Sequence, residues 1–345
     1  MLKTLLIYAL GGGWGHLNRS LALARVAASK YKIKLISNSP YVSEIDLKNC
    51  EVLTISHQAG FKQTRSIIEQ TIEQVSFDCL LVDTFPRGLG GELTDLAAKV
   101  KQPKILINRY LKPEYTQRYC LEEFVRQNYP QILIPGENTP SAFAHLPQAI
   151  KTPPWLIRSS HELTALPGAA ALLGLTIEQA RQPLIVILAS GYRAELALYG
   201  AIANSLVQLG YTVRCISPTL PPQCPPEIWR CHYPALECLW LADLVIGSGG
   251  YNTVFECDRL NLPLIAIPHQ RLYDCQLTRI MAQQKLGKCY LAHNKSAVRL
   301  AQQLLPRTKS HPLKPRSFHN GAEEAVGQIE RSLQLCVLGK DKNHY

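Results

Sequence analysis

The sequence predicts an α/β chain of two Rossmann-like, doubly wound domains in tandem with a cleft between them, and three observations carry that prediction. Short continuous apolar runs alternate with stretches of helical period, the pattern of parallel strands covered on both faces. The rhythm breaks once, near the middle of the chain, and then restarts. Two of the apolar runs end in glycine-rich loops that open a helix, one at Gly11 to Gly15 and one at Gly247 to Gly250.

In the first half the runs are TLLIYAL from Thr4, KIKLIS from Lys32, CLLVD from Cys79, KILIN from Lys104 and QILIP from Gln131. Amphipathic stretches such as 17–29 and 91–100 read as helices between them. Pro135 and Gly136, then the segment 139–160 with Pro140, Pro147, Pro153 and Pro154, interrupt the pattern and form the candidate linker. Beyond it LIVILAS, TVRCIS, LVIGS and LIAIP repeat the architecture without any residue-level repeat. The expected division is 1–150, 151–320 and a last segment, 321–345, made of an amphipathic helix over 321–335 and a charged tail over 340–345 that should fray. Ligands of open α/β sheets bind beyond the carboxyl ends of the strands, so site residues are expected just after each apolar run.

Composition narrows the function. With 345 residues, 46% hydrophobic and 18% charged, the chain can bury two sizeable cores. Its 37 Lys and Arg against 26 Asp and Glu give a formal charge of +11, which favours an anionic partner such as a nucleoside diphosphate or a phosphorylated lipid. No arginine-rich tract, zinc-finger spacing or basic run interleaved with aromatics occurs, so nucleic acid is not expected. The most basic stretch, RTKSHPLKPR at 307–316, reads as a surface loop with the charge for peripheral contact with membrane headgroups. Eleven scattered cysteines without a CxxC pair read as thiols in a reducing cytosol, which makes the cytoplasm, with the inner face of the membrane, the expected location. The grouping Cys215, Cys224, Cys231, His232 and Cys238 lacks the close paired spacing of zinc sites, and no metal is expected there. MLKTLLIYAL mimics a short signal peptide but runs into GGGWGHLNRS without a small-residue cleavage site, so it is read as a strand. No apolar run is long enough to span a bilayer.

The first glycine loop offers Gly13 and Gly15 for a sharp turn and a close approach to a ligand, and the helix it opens offers unpaired N–H groups to an anion. A dinucleotide fingerprint would require a third glycine where His16 stands and an acidic residue after KIKLISNS, so NAD is not expected. His16, at a strand-to-helix turn, is placed to take a hydroxyl proton. Its plain alternative is to brace the loop. Asp83 ends another apolar run and would fix the tautomer of a neighbouring imidazole, or else cap the next helix.

The second loop, ADLVIGSGGYNTVFE from Ala242, is more specific. Ser248, Gly249 and Gly250, running into a helix at Asn252 and Thr253, make a nest for a diphosphate. Glu256, one turn along, can accept both hydroxyls of a ribose. The next run, 264–267, leads into HQRLYDCQ, where Asp274 and Gln276 can meet polar groups of a sugar. Each residue alone reads as a cap or a surface group, whereas the ordered set does not.

Glu256, Pro263, Pro268 and Gln276, spaced by seven, five and eight residues, resemble the donor-binding signature of the GT-B glycosyltransferases. Among them the chain is most similar to the lipid-linked N-acetylglucosaminyltransferases of peptidoglycan synthesis and their relatives. The resemblance implies that Glu256 holds the ribose and Gln276 meets the donor sugar. It sets His16, in GGGWGH, at the family's histidine, likens TPPWLIR at 152–158 to the family's linker, and puts Gly191 after the strand that opens the second domain. The string VDTFPRGLGGEL is closer to predicted glycosyltransferases related to the peptidoglycan enzymes. The acceptor stays open among a lipid carrier, a polysaccharide end and a small molecule, with Arg19, Arg87 and Arg109 as candidates to meet an anionic one or, more plainly, to lie at the surface.

The implied activity is an inverting hexosyl transfer from a nucleotide-sugar, with UDP as the expected carrier and no resident cofactor. Helix N-termini and loop amides in place of a metal would neutralise the leaving diphosphate, and no Asp-x-Asp triplet occurs. Two alternatives remain. GHLNRSLALA also resembles the loop of nucleotide-sugar hydrolases that make nine-carbon acidic sugars, where the histidine activates water; TPPWLIR and the long second domain favour transfer. A UDP-N-acetylglucosamine epimerase shares the architecture, but its acidic catalytic residues have no clear counterpart.

Overall fold

Each apolar run predicted as a strand is one in the computed structural model, which describes residues 2–45, 50–136, 141–293, 296–305 and 313–341. The first sheet holds β1 (Thr4–Ala9), β2 (Lys32–Ser37), β3 (Glu51–Thr54), β4 (Cys79–Asp83), β5 (Lys104–Ile107), β6 (Gln131–Pro135) and β7 (Ala149–Thr152) in the order β3-β2-β1-β4-β5-β6-β7. The second holds β8 (Leu184–Leu188), β9 (Thr212–Ile216), β10 (Trp229–Arg230), β11 (Leu244–Ser248), β12 (Leu264–Ile267) and β13 (Cys289–Leu291) in the order β10-β9-β8-β11-β12-β13. Neighbouring strands pair in parallel throughout, with registers such as Ala9 opposite Ser37 and Ser248 opposite Ile267. In each sheet the order reverses once, between β1 and β4 and between β8 and β11.

The apolar runs fold as strands because both of their faces are covered. In β1, Leu5, Leu6, Ile7 and Tyr8 are all fully buried. In the second unit one face of the sheet, Ile185 and Ile187, Leu244 and Ile246, Ile265 and Ile267, packs with Tyr199, Ile202 and Leu206 of the Arg193–Gln208 helix and Ala297 and Ala301 of the Ala297–Leu304 helix. The four strands that show no apolar run, β3, β7, β10 and β13, are the sheet edges. An edge strand needs less apolar surface, and β3 is exposed at both ends.

The chain divides into one unit of Met1–Ile157 with Asn320–Tyr345 and another of Arg158–His319. The boundary expected after residue 150 therefore falls inside the first unit. Trp155 is fully buried there, its indole donating to Thr152 Oγ1 at 2.8 Å, and the Ile157 carbonyl accepts from Arg25. Nor does the segment 321–345 stand apart. The Gly321–Asp341 helix packs on the Trp14–Ala27 helix and on β6 and β7, helped by a Lys30–Glu330 pair at 2.7 Å.

The helix expected over 91–100 is shortened to Leu96–Lys99. Glu92 instead turns inward, where its buried carboxylate accepts from the Tyr8 hydroxyl and from the Gly90 N–H at 2.8 Å. Part of the expected linker (137–140), much of the basic stretch at 307–316 and the end of the tail (342–345) lie outside the described residues. Among the described residues no helix is long and apolar enough to cross a membrane.

Asn320 fastens the point where the chain rejoins the first unit. It is 1% exposed; its Oδ1 accepts from the N–H groups of Leu156 (3.1 Å) and Ala322 (3.2 Å), and its Nδ2 donates to the Leu156 carbonyl (2.9 Å). Removing that side chain strands buried backbone groups that cost about 1–3 kcal/mol each. Asn320→Ala is therefore expected to lower the unfolding free energy by about 3 kcal/mol in urea titration.

Candidate functional site

In the first unit the residues beyond β1 and β4 meet at the reversal of strand order, where open α/β sheets form their crevice. Asn38, just past β2, accepts from the N–H groups of Gly11 and Gly12 with its Oδ1, both at 2.9 Å, and so shapes the loop. Gly11 must lack a side chain because a β-carbon there would overlap the His16 ring. The Trp14–Ala27 helix begins after Gly13 with no side-chain cap and no acidic residue in its first turn, which leaves N–H groups for an anion. Trp14 stacks on Tyr41 at 4.4 Å between centroids and ties the helix start to the segment after β2. Gly15 faces Arg109, which is buried.

His16 and Asp83 come together. His16 Nδ1 lies 2.6 Å from Asp83 Oδ2, and the imidazole stacks on Phe85 at 5.5 Å. Arg19, one turn along the same helix, donates from Nε to Asp83 Oδ1 at 2.8 Å and from Nη2 to Oδ2 at 2.7 Å. Both partners of that ion pair are 0% exposed, whereas the His16 side chain keeps 16% of its surface. Burial holds the imidazole below its ordinary pKa of 6.5; the Asp83 hydrogen bond and charge oppose this, and Arg19 and Arg109 add to it. Burial alone would raise Asp83, but the Arg19 charge and the His16 hydrogen bond outweigh it and hold the carboxyl below its ordinary value. The result is a neutral, oriented imidazole with one nitrogen tied down, the form a general base needs.

Arg19 is thus not at the surface, because its guanidinium is drawn inward to pair with Asp83. Arg87 lies over the Phe124 ring at 4.5 Å.

In the second unit the corresponding reversal lies between β8 and β11. Ser248 ends β11, and its Oγ accepts from the Gly250 N–H at 3.3 Å. The Tyr251–Leu260 helix then starts after Gly250 with no side-chain cap and no acidic residue in its first turn. A β-carbon on Gly249 would lie 2.6 Å from Ile280 Cδ1 and 3.1 Å from Gln276 Cβ, so only glycine lets the Gln276–Gln284 helix come this close. Arg279 fixes that approach. It is 2% exposed, donates to the Gly249 carbonyl at 3.0 Å, and pairs with Asp274 at 2.8 Å. Gln276 is buried and accepts from the His269 N–H at 2.9 Å. Gly249, Gly250, Asp274 and Gln276 are thereby gathered.

Thr253 packs under Gly247, and Asn252 Oδ1 is a buried acceptor without a hydrogen-bond partner among the described residues. Glu256, 7% exposed, lies in the same helix, and burial pushes its carboxyl up to about 7. Gly191, at φ +116°, faces the carboxylate of Glu195.

That carboxylate belongs to a cluster the sequence reading missed. Arg271 pairs with Glu195 through two contacts of 2.6 and 2.7 Å, and His269 Nε2 lies 2.8 Å from the Tyr199 hydroxyl. His269 and Arg271 follow β12 directly, so the strand-end rule could have found them; Glu195 and Tyr199 lie inside a helix and carry no such signal. Among the described residues no three His, Cys, Asp or Glu side chains gather as metal ligands, those of the cysteine grouping included.

Two doubly wound parallel units in tandem, each with its loops at the reversal of strand order, constitute the GT-B fold of glycosyltransferases. Among solved structures the chain is similar to the Streptomyces sp. SF2575 glycosyltransferase SsfS6 complexed with thymidine diphosphate, with a TM-score of 0.62 and 14% identity over 95% of this chain and 99% of that one. It is likewise similar to the glycotransferase of kitacinnamycin, with a TM-score of 0.61 and 15% identity over 96% and 100% of the two chains. MurG of Acinetobacter baumannii gives 0.57 and 16% over 95% and 99%. At these identities the likeness establishes the fold. No family model and no curated protein matches the chain.

Glu256 gives the second unit a pH signature. Its folded pKa of about 7 stands above the ordinary 4.5, so the folded state holds a proton the unfolded chain releases, and the stability this provides is full below pH 4.5 and lost as pH rises through 7. The difference amounts to about 3 kcal/mol. Glu256→Gln should remove this dependence and gain on the wild type by that order between pH 4.5 and 8 in urea titrations.

Proposed function

We propose that the chain moves a sugar from a UDP-sugar to an acceptor hydroxyl, with inversion at the anomeric carbon and without a metal. The observation that carries the reading is the His16–Asp83 pair, a neutral imidazole held by a buried carboxylate at the carboxyl ends of β1 and β4 in a chain of GT-B fold. The acceptor hydroxyl gives its proton to His16 Nε2 while its oxygen attacks the anomeric carbon and the bond to the diphosphate oxygen breaks. Asp83 accepts the Nδ1 hydrogen bond throughout and stabilises the imidazolium that forms. The departing diphosphate carries its charge to the loop at Gly249 and Gly250 and to the start of the Tyr251–Leu260 helix, which has no side-chain cap and no acidic residue in its first turn. Asp274 and Gln276 meet the sugar.

Glu256 accepts the ribose hydroxyls, and burial with no neighbouring cation among the described residues leaves its carboxyl raised to about 7. The SsfS6 structure holds thymidine diphosphate, which supports a nucleoside diphosphate here; a ribose with both hydroxyls offers Glu256 one more donor than thymidine does. The acceptor is a lipid carrier, a polysaccharide end or a small molecule. The cytoplasm suits the free thiols, and the net charge of +11 suits contact with an anionic membrane face.

Incubation with UDP-N-acetylglucosamine and no acceptor separates transfer from hydrolysis, since rapid stoichiometric release of free sugar would overturn the transferase reading. His16→Ala should cut turnover by about 10²- to 10⁴-fold and leave UDP affinity within about twofold; near-normal turnover removes His16 from the role of base. Glu256→Ala should weaken UDP binding by about 10- to 100-fold and erase a preference for UDP over thymidine diphosphate, read by calorimetry. Unchanged affinity would refute the ribose assignment.

A further inference from the structure

Asp83 is asked to do two things with one carboxylate. Its Oδ2 receives His16 Nδ1, Arg19 Nη2 and the Thr84 hydroxyl at 2.6, 2.7 and 3.2 Å, while Oδ1 receives Arg19 Nε at 2.8 Å. Arg19 and His16 stand three residues apart on one helix and so share a face. The guanidinium therefore grips the carboxylate at two points and fixes its plane, from a position with no exposed surface.

We propose that Arg19 is a positioning residue that holds Asp83 ionised and aligned, and that its charge keeps the His16–Asp83 pair free of an extra proton so that the imidazole waits as a base. Counting charges gives the reason. A buried histidine–aspartate pair by itself becomes neutral overall when it takes a proton, and burial then favours the protonated pair. With Arg19 included, the unprotonated cluster is neutral and the protonated one carries a net positive charge, so burial now favours the free base.

The charged groups facing His16 act in both directions. Arg19 from its own helix and Arg109 from the segment after β5 both repel a proton, Asp83 from the end of β4 attracts one, and Phe85 contributes only an apolar face. The proton belongs to the pair as a unit, so the Arg19 effect holds whichever of the two groups carries it.

The clamp itself rests on geometry, and only its effect on rate rests on the proposed transfer. The test is an NMR titration of the full chain, with the His16 ring signals assigned by their loss in His16→Gln. The wild-type imidazole is expected to titrate below 6.5 and, in Arg19→Gln, at least about one pH unit higher. Arg19→Lys, which restores the charge without the two-point grip, should return the titration to within about half a unit of wild type.

A wild-type value above about 7, measured with no variant at all, overturns the inference even if Arg19→Gln does not fold. So does an Arg19→Gln value within a few tenths of wild type. If UDP-sugar turnover is measurable, the acid limb of kcat/KM should move up by the same interval in Arg19→Gln. Absence of turnover with the expected titration would sink the transferase reading and leave the clamp standing.

Discussion

A carboxylate with no exposed surface has to be balanced by a charge as deeply buried, and in the first unit the arrangement around β1 and β4 follows from that requirement. Asp83 is the last residue of β4, and Arg19 reaches it from the helix that β1 and the glycine loop launch. Breaking such a buried pair on one side costs about 3–5 kcal/mol, so the loop, the helix start and the strand end are fixed with respect to one another. His16 inherits this order because it shares both the helix and the carboxylate. Glycine at position 11 follows in turn, since the imidazole occupies the space a side chain would need.

The second unit reaches order around its loop by a related device with different chemistry. Arg279 is nearly as buried as Arg19, but it divides its donors between a carboxylate, Asp274, and a backbone carbonyl, that of Gly249. The first arginine balances the charge of a buried carboxylate, whereas the second sets a distance between a helix and a loop. Glu256, by contrast, is given no cation, and its carboxyl rises where that of Asp83 falls. Of two buried acids, the one with a guanidinium is kept ionised and the other is left sensitive to whatever donors arrive.

How much of this could be read from the residues depended on whether the signal was local. Central strands were legible because burial on both faces demands unbroken apolar runs, and the edge strands β3, β7, β10 and β13 were not because that demand is relaxed there. The two glycine loops were legible from their position at strand ends, and so was the placement of Asp274 and Gln276 after β12. Arg19 was not. An arginine within NRSLALA looks like a solvated residue on an amphipathic helix, and only the tertiary approach of β4 makes it a buried counter-ion. The inward turn of Glu92 that shortens the helix expected over 91–100 is likewise set by a partner, Tyr8, that lies far away in sequence.

The Gly321–Asp341 helix covers β6, β7 and the Trp14–Ala27 helix of the first unit, yet it is encoded after the whole of the second. On the ribosome the sheet that carries His16 and Asp83 emerges early and must wait, with part of one face bare, while the residues of the second unit are added. The second unit, by contrast, is continuous in sequence and can close its own core as soon as it is released. The order of synthesis thus makes the first unit the last to be finished.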